Sequence, residues 1–162
     1  MAINKEKKKE IYEKLAILVK ENPSVAFVNF HKMTVAQATA MRRGLGKEGV
    51  GFYVAKKTLI KKALTDAKIA GDMPALDGEI GLAYSKDQVA SARGVFMFQK
   101  SLEKAVQLVG GIFEGRFASQ EEMVRIASIP PRQTLLAQFV NVINSPIQGL
   151  VVALDQIAKK RV

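Results

Sequence analysis

The sequence predicts an α/β (α+β) fold: a two-layer N-terminal domain on a small mixed sheet over residues 1–128, then a helical extension over 129–162. Three observations predict it. Segments with apolar residues at helical spacing alternate with short apolar runs through the first part, the pattern of helices and strands packed in layers. Ser or Thr stands three residues before Gln or Glu at Thr34/Gln37, Ser85/Gln88 and Ser119/Glu122, the signature of a helix start. After Ile129-Pro130-Pro131 the strand-like runs give way to helical periodicity alone.

Residues 4–22 place Ile11, Leu15, Leu18 and Val19 at helical spacing, with Lys7, Lys8, Lys9 and Lys14 mostly elsewhere on the wheel; Asn22-Pro23 ends this helix. VAFVNF (25–30) is a nearly continuous apolar strand, as expected of one covered on both faces. The Thr34 box opens a helix to about Lys47 with Val35, Ala38, Met41 and Leu45 inward. GVGFYVA (49–55) is the next strand, and a third helix spans roughly Lys57 to Lys68. Gly71-Asp72-Met73-Pro74 signals a turn. EIGLAYS (79–85) is strand-like, and the Ser85 box opens a helix through Gln99. AVQLVGGIFEGRF (105–117) reads as a strand pair or a bent strand carrying glycine bulges, and the Ser119 box opens a short helix to Ser128.

In the extension, Leu135, Leu136, Phe139, Val142 and Ile143 are the apolar residues of a helix over 132–144. Ser145-Pro146 is expected to break it and restart a last helix over about 146–161, with Ser as N-cap and Pro at the first helical position. Ile147, Leu150, Val151, Leu154, Ile157 and Ala158 share one face of that helix, and Lys159-Lys160-Arg161 suits its negative end. Such a stripe either folds back on its own domain or receives another chain; periodicity leaves both readings open.

Composition narrows the function. Of 162 residues, 48% are hydrophobic and 25% charged, which is ordinary for a globular chain and argues against wholesale disorder. There is no cysteine and one histidine, so disulfides and thiolate metal sites are excluded and zinc or haem is poorly supported; no cofactor is expected. MAINKEKKKE has no apolar core after its charges, and no run of about 18 apolar residues is found to span a bilayer, so a soluble, cytoplasmic protein with no membrane role is expected. The net charge is +10, and residues 1–70 carry most of it, with 15 Lys/Arg against 6 Asp/Glu. A surface directed at a polyanion, above all RNA, explains that asymmetry.

The strongest candidate for that surface is Lys56-Lys57-Thr58, where a strand gives way to a helix N-terminus and free backbone N–H groups, a hydroxyl and two ammoniums can converge on phosphate. Lys61 and Lys62 follow one turn on, Arg42 and Arg43 lie on the preceding helix, and Lys7 and Lys8 belong to a segment that is equally well a solvated face. His31 and Lys32 sit in a loop. Phe30 and Tyr53 could stack on bases, but strand positions favour core packing. Gly44-Leu45-Gly46-Lys47-Glu48-Gly49 matches a dinucleotide fingerprint in the wrong context: it closes a helix, so a C-cap and turn explain it better. His31 has no recognisable nucleophile beside it, which disfavours an enzyme.

These residues together resemble the family of bacterial large-subunit ribosomal protein ten, and the likeness covers essentially the whole chain. The family's aromatic–Arg–Gly–Leu–Thr–Val segment is similar to Phe30-His31-Lys32-Met33-Thr34-Val35. Its basic–Asn–Thr–Leu segment is similar to Lys56-Lys57-Thr58-Leu59. Its Pro-Ser-Arg hinge resembles Ile129-Pro130-Pro131-Arg132, and Ser145-Pro146-Ile147-Gln148-Gly149-Leu150-Val151 resembles the start of its C-terminal helix. Lys32 replaces a family glycine, Lys57 an asparagine, and Gly78-Glu79 the usual Gly-Pro. The resemblance implies a non-enzymatic base of the ribosomal stalk. Its N-terminal domain would hold large-subunit ribosomal RNA near the neighbouring ribosomal protein eleven. Its last helix would carry dimers of the acidic stalk protein seven/twelve, which recruit GTP-bound translation factors. The chain's own messenger RNA is a secondary implied partner. The alternative is a free-standing nucleic-acid-binding regulator that self-associates through its last helix.

Overall fold

The computed structural model describes residues 5–31, 33–67, 69–71, 73–74, 76–101 and 105–160. Two units divide the chain, Met1–Ile129 and Pro130–Val162. In the first, the elements run α1 (Lys5–Glu21), β1 (Ser24–Phe30), α2 (Val35–Lys47), β2 (Gly51–Val54), α3 (Lys57–Asp66), β3 (Ile80–Ser85), α4 (Ala90–Ser101), β4 (Val106–Phe113), β5 (Arg116–Ala118) and α5 (Gln120–Ala127). The strands form one sheet in the order β2-β3-β1-β4-β5.

The α/β class and the helical extension are as expected, and the sheet is more specific than the expectation. All four strand pairings are antiparallel rather than mixed; among the described residues the one parallel pairing is an isolated bridge between Ala70 and Arg116. Helices also cover both faces, because β1 is central and its side chains alternate between two cores. Ala26 and Val28 pack with Met41 and Leu45 of α2, Val95 of α4 and Met123 of α5. Val25 and Phe27 pack with Leu15 of α1 and Ile60 and Leu64 of α3. The sheet therefore lies between two helical layers, not under one. Fully burying a side chain such as Leu15 or Phe27 contributes roughly 2 kcal/mol, which is what seats α1 and α3.

The Thr34/Gln37 and Ser119/Glu122 capping boxes are both complete. The Ser85/Gln88 box is not: Ser85 Oγ accepts from Asp87 N–H, Gln88 Nε2 donates to Glu114 Oε1, and α4 starts only at Ala90. A side-chain bond across to the β4–β5 turn has replaced the local cap. Val35, expected inward, is 85% exposed, since a residue so close to the start of α2 precedes the turn that meets the sheet. Residues 105–117 form a hairpin whose two-residue turn, Glu114 (φ 51°) and Gly115 (φ 76°), has the left-handed pair that matches strand twist. Against β1, the pairing of β4 skips Val109, a bulge beside Gly110-Gly111. Gly111 admits no side chain: a Cβ there would lie 2.5 Å from Met123 Cε and 2.6 Å from the Val25 carbonyl oxygen.

Among the described residues the second unit holds one helix, α6 (Arg132–Lys160), which runs through Ser145-Pro146 without a break. Proline forfeits one backbone hydrogen bond here, but apolar and amide residues of ordinary helix propensity on both sides sustain the helix. Continuity also corrects the expectation about bilayer-spanning length, because this helix is long and apolar enough to cross a membrane by length and composition. Its surface is nonetheless patterned. Thr134, Asn141, Gln148 and Asp155 recur every seven residues, opposite a seam of apolar residues alternately three and four apart. Arg161, expected at its end, lies outside the described residues.

Candidate nucleic-acid interface

The β2–α3 junction is built to leave donors open. Lys56 is the N-cap of α3 and makes no side-chain cap bond, whereas α2 and α5 are both closed by boxes. The Leu59 and Ile60 N–H groups return to the Lys56 carbonyl, leaving the Lys57 and Thr58 N–H groups facing outward at the positive end of the helix. Lys57 and Lys61 are four residues apart on one exposed face.

This junction borders an open groove of about 630 Å³. It is lined by Ile11 of α1, by Phe30, Val54, Ala55 and Ile80, and by Lys56, Lys57, Gly78 and Glu79. Lys7 and Lys8, both exposed, lie one helical turn from Ile11 on α1, which packs against α3. The end of β1 is pinned beside the groove: Phe30 N–H donates to the Glu79 carbonyl at 3.1 Å, and His31 N–H donates to the Ala105 carbonyl at 2.9 Å. Phe30 also meets Phe52 edge-on, with centroids 6.5 Å apart.

Of the sequence-predicted residues, Lys56 and Lys57 line this groove; Thr58 and Lys61 follow on α3, Lys7 and Lys8 are on the neighbouring α1, and His31 adjoins the lining residue Phe30. Arg42 and Arg43 do not join them: α2 lies on the opposite face of the sheet from α1 and α3. Lys32 lies outside the described residues. Lys62 is committed to the α1–α3 contact, its ammonium 5.8 Å from the Tyr12 ring centroid. Tyr53 packs into the second core, as its strand position favours. Two ion pairs occur among the described residues, Arg93–Glu48 at 3.9 Å and Lys159–Asp155 at 2.7 Å, so no described carboxylate pairs with Lys56, Lys57 or Lys61. Glu48, the one acidic residue between Phe30 and Leu64, pairs with Arg93 of α4 instead. No group of three metal-ligating side chains converges among the described residues.

Sequence reasoning missed the Gly78–Glu79 margin. Gly78 has φ +80°, and a Cβ there would meet the Asn29 side-chain amide at 3.0 Å, while Asn29 Nδ2 donates to the Asp77 carbonyl at 3.0 Å. The Asp-Gly dipeptide was the available signal. The upstream half of the α6 seam was also missed as continuous with the rest. Leu136, Val140 and Ile143 lead in register into Ile147, Leu150, Leu154 and Ile157, with Val151 and Ala158 flanking, and every one is exposed.

The class this defines is an α/β domain with a lysine-rimmed groove and a C-terminal apolar helix. Residues 3–100 match the family described as Ribosomal protein L10, and residues 129–161 match the Ribosomal protein uL10 C-terminal region. The chain is 37% identical over 171 aligned positions to large ribosomal subunit protein uL10 of Rubrobacter xylanophilus, covering 98% of this chain and 97% of that one. The corresponding protein of Bacillus licheniformis is 31% identical over 157 positions, with 96% and 94% covered. That of Leptothrix cholodnii is 30% identical over 161, with 99% and 88% covered. The chain belongs to the ribosomal protein L10 (uL10) family.

Proposed function

We propose that this chain is a non-enzymatic component of the large ribosomal subunit that forms the base of its stalk in the cytoplasm. Residues 1–128 anchor it to ribosomal RNA, beside ribosomal protein eleven. Residues 129–162 carry dimers of the acidic stalk protein seven/twelve, which bring GTP-bound translation factors to the ribosome. The observation that carries the RNA reading is the uncapped start of α3, whose Lys56 and Lys57 line an open groove and form no ion pair among the described residues. Lys56, Lys57, Thr58 and Lys61 hold phosphates, with His31, Lys32, Lys7 and Lys8 extending the contact along the backbone. Arg42 and Arg43, on the other face, serve a separate and secondary RNA contact. The stalk reading is supported by the exposure of Ile147, Leu150, Val151, Leu154, Ile157 and Ala158. The basic end of α6 suits an acidic partner. The same RNA face gives the chain a means of binding its own messenger.

The test is binding to a large-subunit rRNA fragment across a salt series. Lys56→Ala/Lys57→Ala should weaken binding and reduce the slope of log Kd against log salt by about 1 to 2. A slope equal to that of the unmodified chain would remove these lysines from the interface.

A further inference from the structure

We propose that the groove lined by Lys56 and Lys57 is a pocket for one unstacked base of the bound RNA, the base resting against its apolar lining residues while its phosphate is held by the lysines. The proposal rests on the reading of this face as the RNA-binding one. Three features point to it. A site for phosphate alone needs no apolar lining, yet Phe30, Val54, Ala55 and Ile80 line, together with Lys56 and Lys57, a space of about 630 Å³. That is the size of a small-molecule pocket. Val54 remains 41% exposed there, on an edge strand where a polar residue would cost nothing. RNA-binding proteins commonly seat splayed-out bases on aromatic and apolar side chains in this way.

The second feature is Glu79. A carboxylate at the margin of a phosphate site works against phosphate, but it accepts hydrogen bonds from base N–H groups. Guanine, which presents two adjacent N–H donors on its Watson–Crick edge, is the best complement to it. The third feature is rigidity. The Asp77–Glu79 margin is fixed by the Asn29–Asp77 and Phe30–Glu79 hydrogen bonds and by the left-handed Gly78, so the pocket exists before RNA arrives.

An rRNA fragment in which each unpaired nucleotide is made abasic in turn tests this with the full chain. One abasic position should lower affinity about tenfold. On that RNA, Phe30→Leu and Val54→Ser should cost nothing further, whereas on intact RNA each weakens binding with the salt slope unchanged. Val54 is partly exposed, so Val54→Ser keeps the measurement decisive if Phe30→Leu fails to fold. If no abasic position couples to either variant while Lys56→Ala/Lys57→Ala still flattens the slope, the groove holds phosphate or a protein side chain and the base pocket is overturned. If the lysine pair leaves the slope unchanged, the RNA face itself is lost and the pocket with it.

Discussion

Tyr12, Lys62 and Asp66 tie α1 to α3 through exposed groups. The phenol donates to Asp66 Oδ2 at 2.5 Å and its ring lies under the Lys62 ammonium. This contact sets where Lys7 and Lys8 stand relative to Lys56 and Lys57, since each pair rides on one of the two helices. The hydrogen bond holds the Tyr12 phenol above its ordinary value of 10.0, with desolvation and the Asp66 charge adding to the effect. A proton held more tightly in the folded state gives stability that is fully present below pH 10.0 and lost as the pH rises through the higher folded value. Ultraviolet titration should therefore find a phenol ionising above pH 10.0 that vanishes in Tyr12→Phe and moves back in Asp66→Asn. Identical curves for Asp66→Asn and the unmodified chain would mean the bond does not form in solution.

Among the elements, sequence patterns were legible where the deciding interaction is local. Thr34/Gln37 and Ser119/Glu122 close on themselves within one turn, so their helix starts could be read directly. Ser85/Gln88 has the same spacing and fails, because Glu114 from a distant turn captures Gln88. Pro146 is the opposite case, a strong local signal overridden by its flanks. The Pro146→Ala variant restores an N–H able to reach the Val142 carbonyl, and removing an interior proline is worth up to ~3 kcal/mol to a helix. Amide hydrogen exchange in residues 142–150 should slow in the full chain; unchanged exchange would show that the helix already pays nothing there. The convergence of lysines around the groove was legible only in part. Lys56-Lys57-Thr58 announced itself as a strand–helix junction, but its lying on the same side of the sheet as the helix that carries Lys7 and Lys8 depends on α1 and α3 sharing one face. The same division of faces is what sends Arg42 and Arg43 elsewhere.

At the scale of the whole molecule, the two units have surfaces of opposite kind: lysines with no carboxylate partner among the described residues on one, exposed apolar side chains on the other. Their functions should separate accordingly. Leu150→Asp/Leu154→Asp places two carboxylates in the α6 seam and should abolish capture of acidic stalk-protein dimers in a pull-down, with rRNA affinity within about twofold of the unmodified chain, since the seam and the basic groove belong to separate units and share no residue. Dimers still captured at the original stoichiometry would remove the seam from that role.

The sheet has a further consequence through its ends. It finishes in β2 and β5, strands of only four and three residues. Edges this short are poor templates for adding a foreign strand. Along α6 the backbone groups are largely spent within the helix, so a partner there can read side chains only. Association through side chains alone lets recognition be retuned one residue at a time.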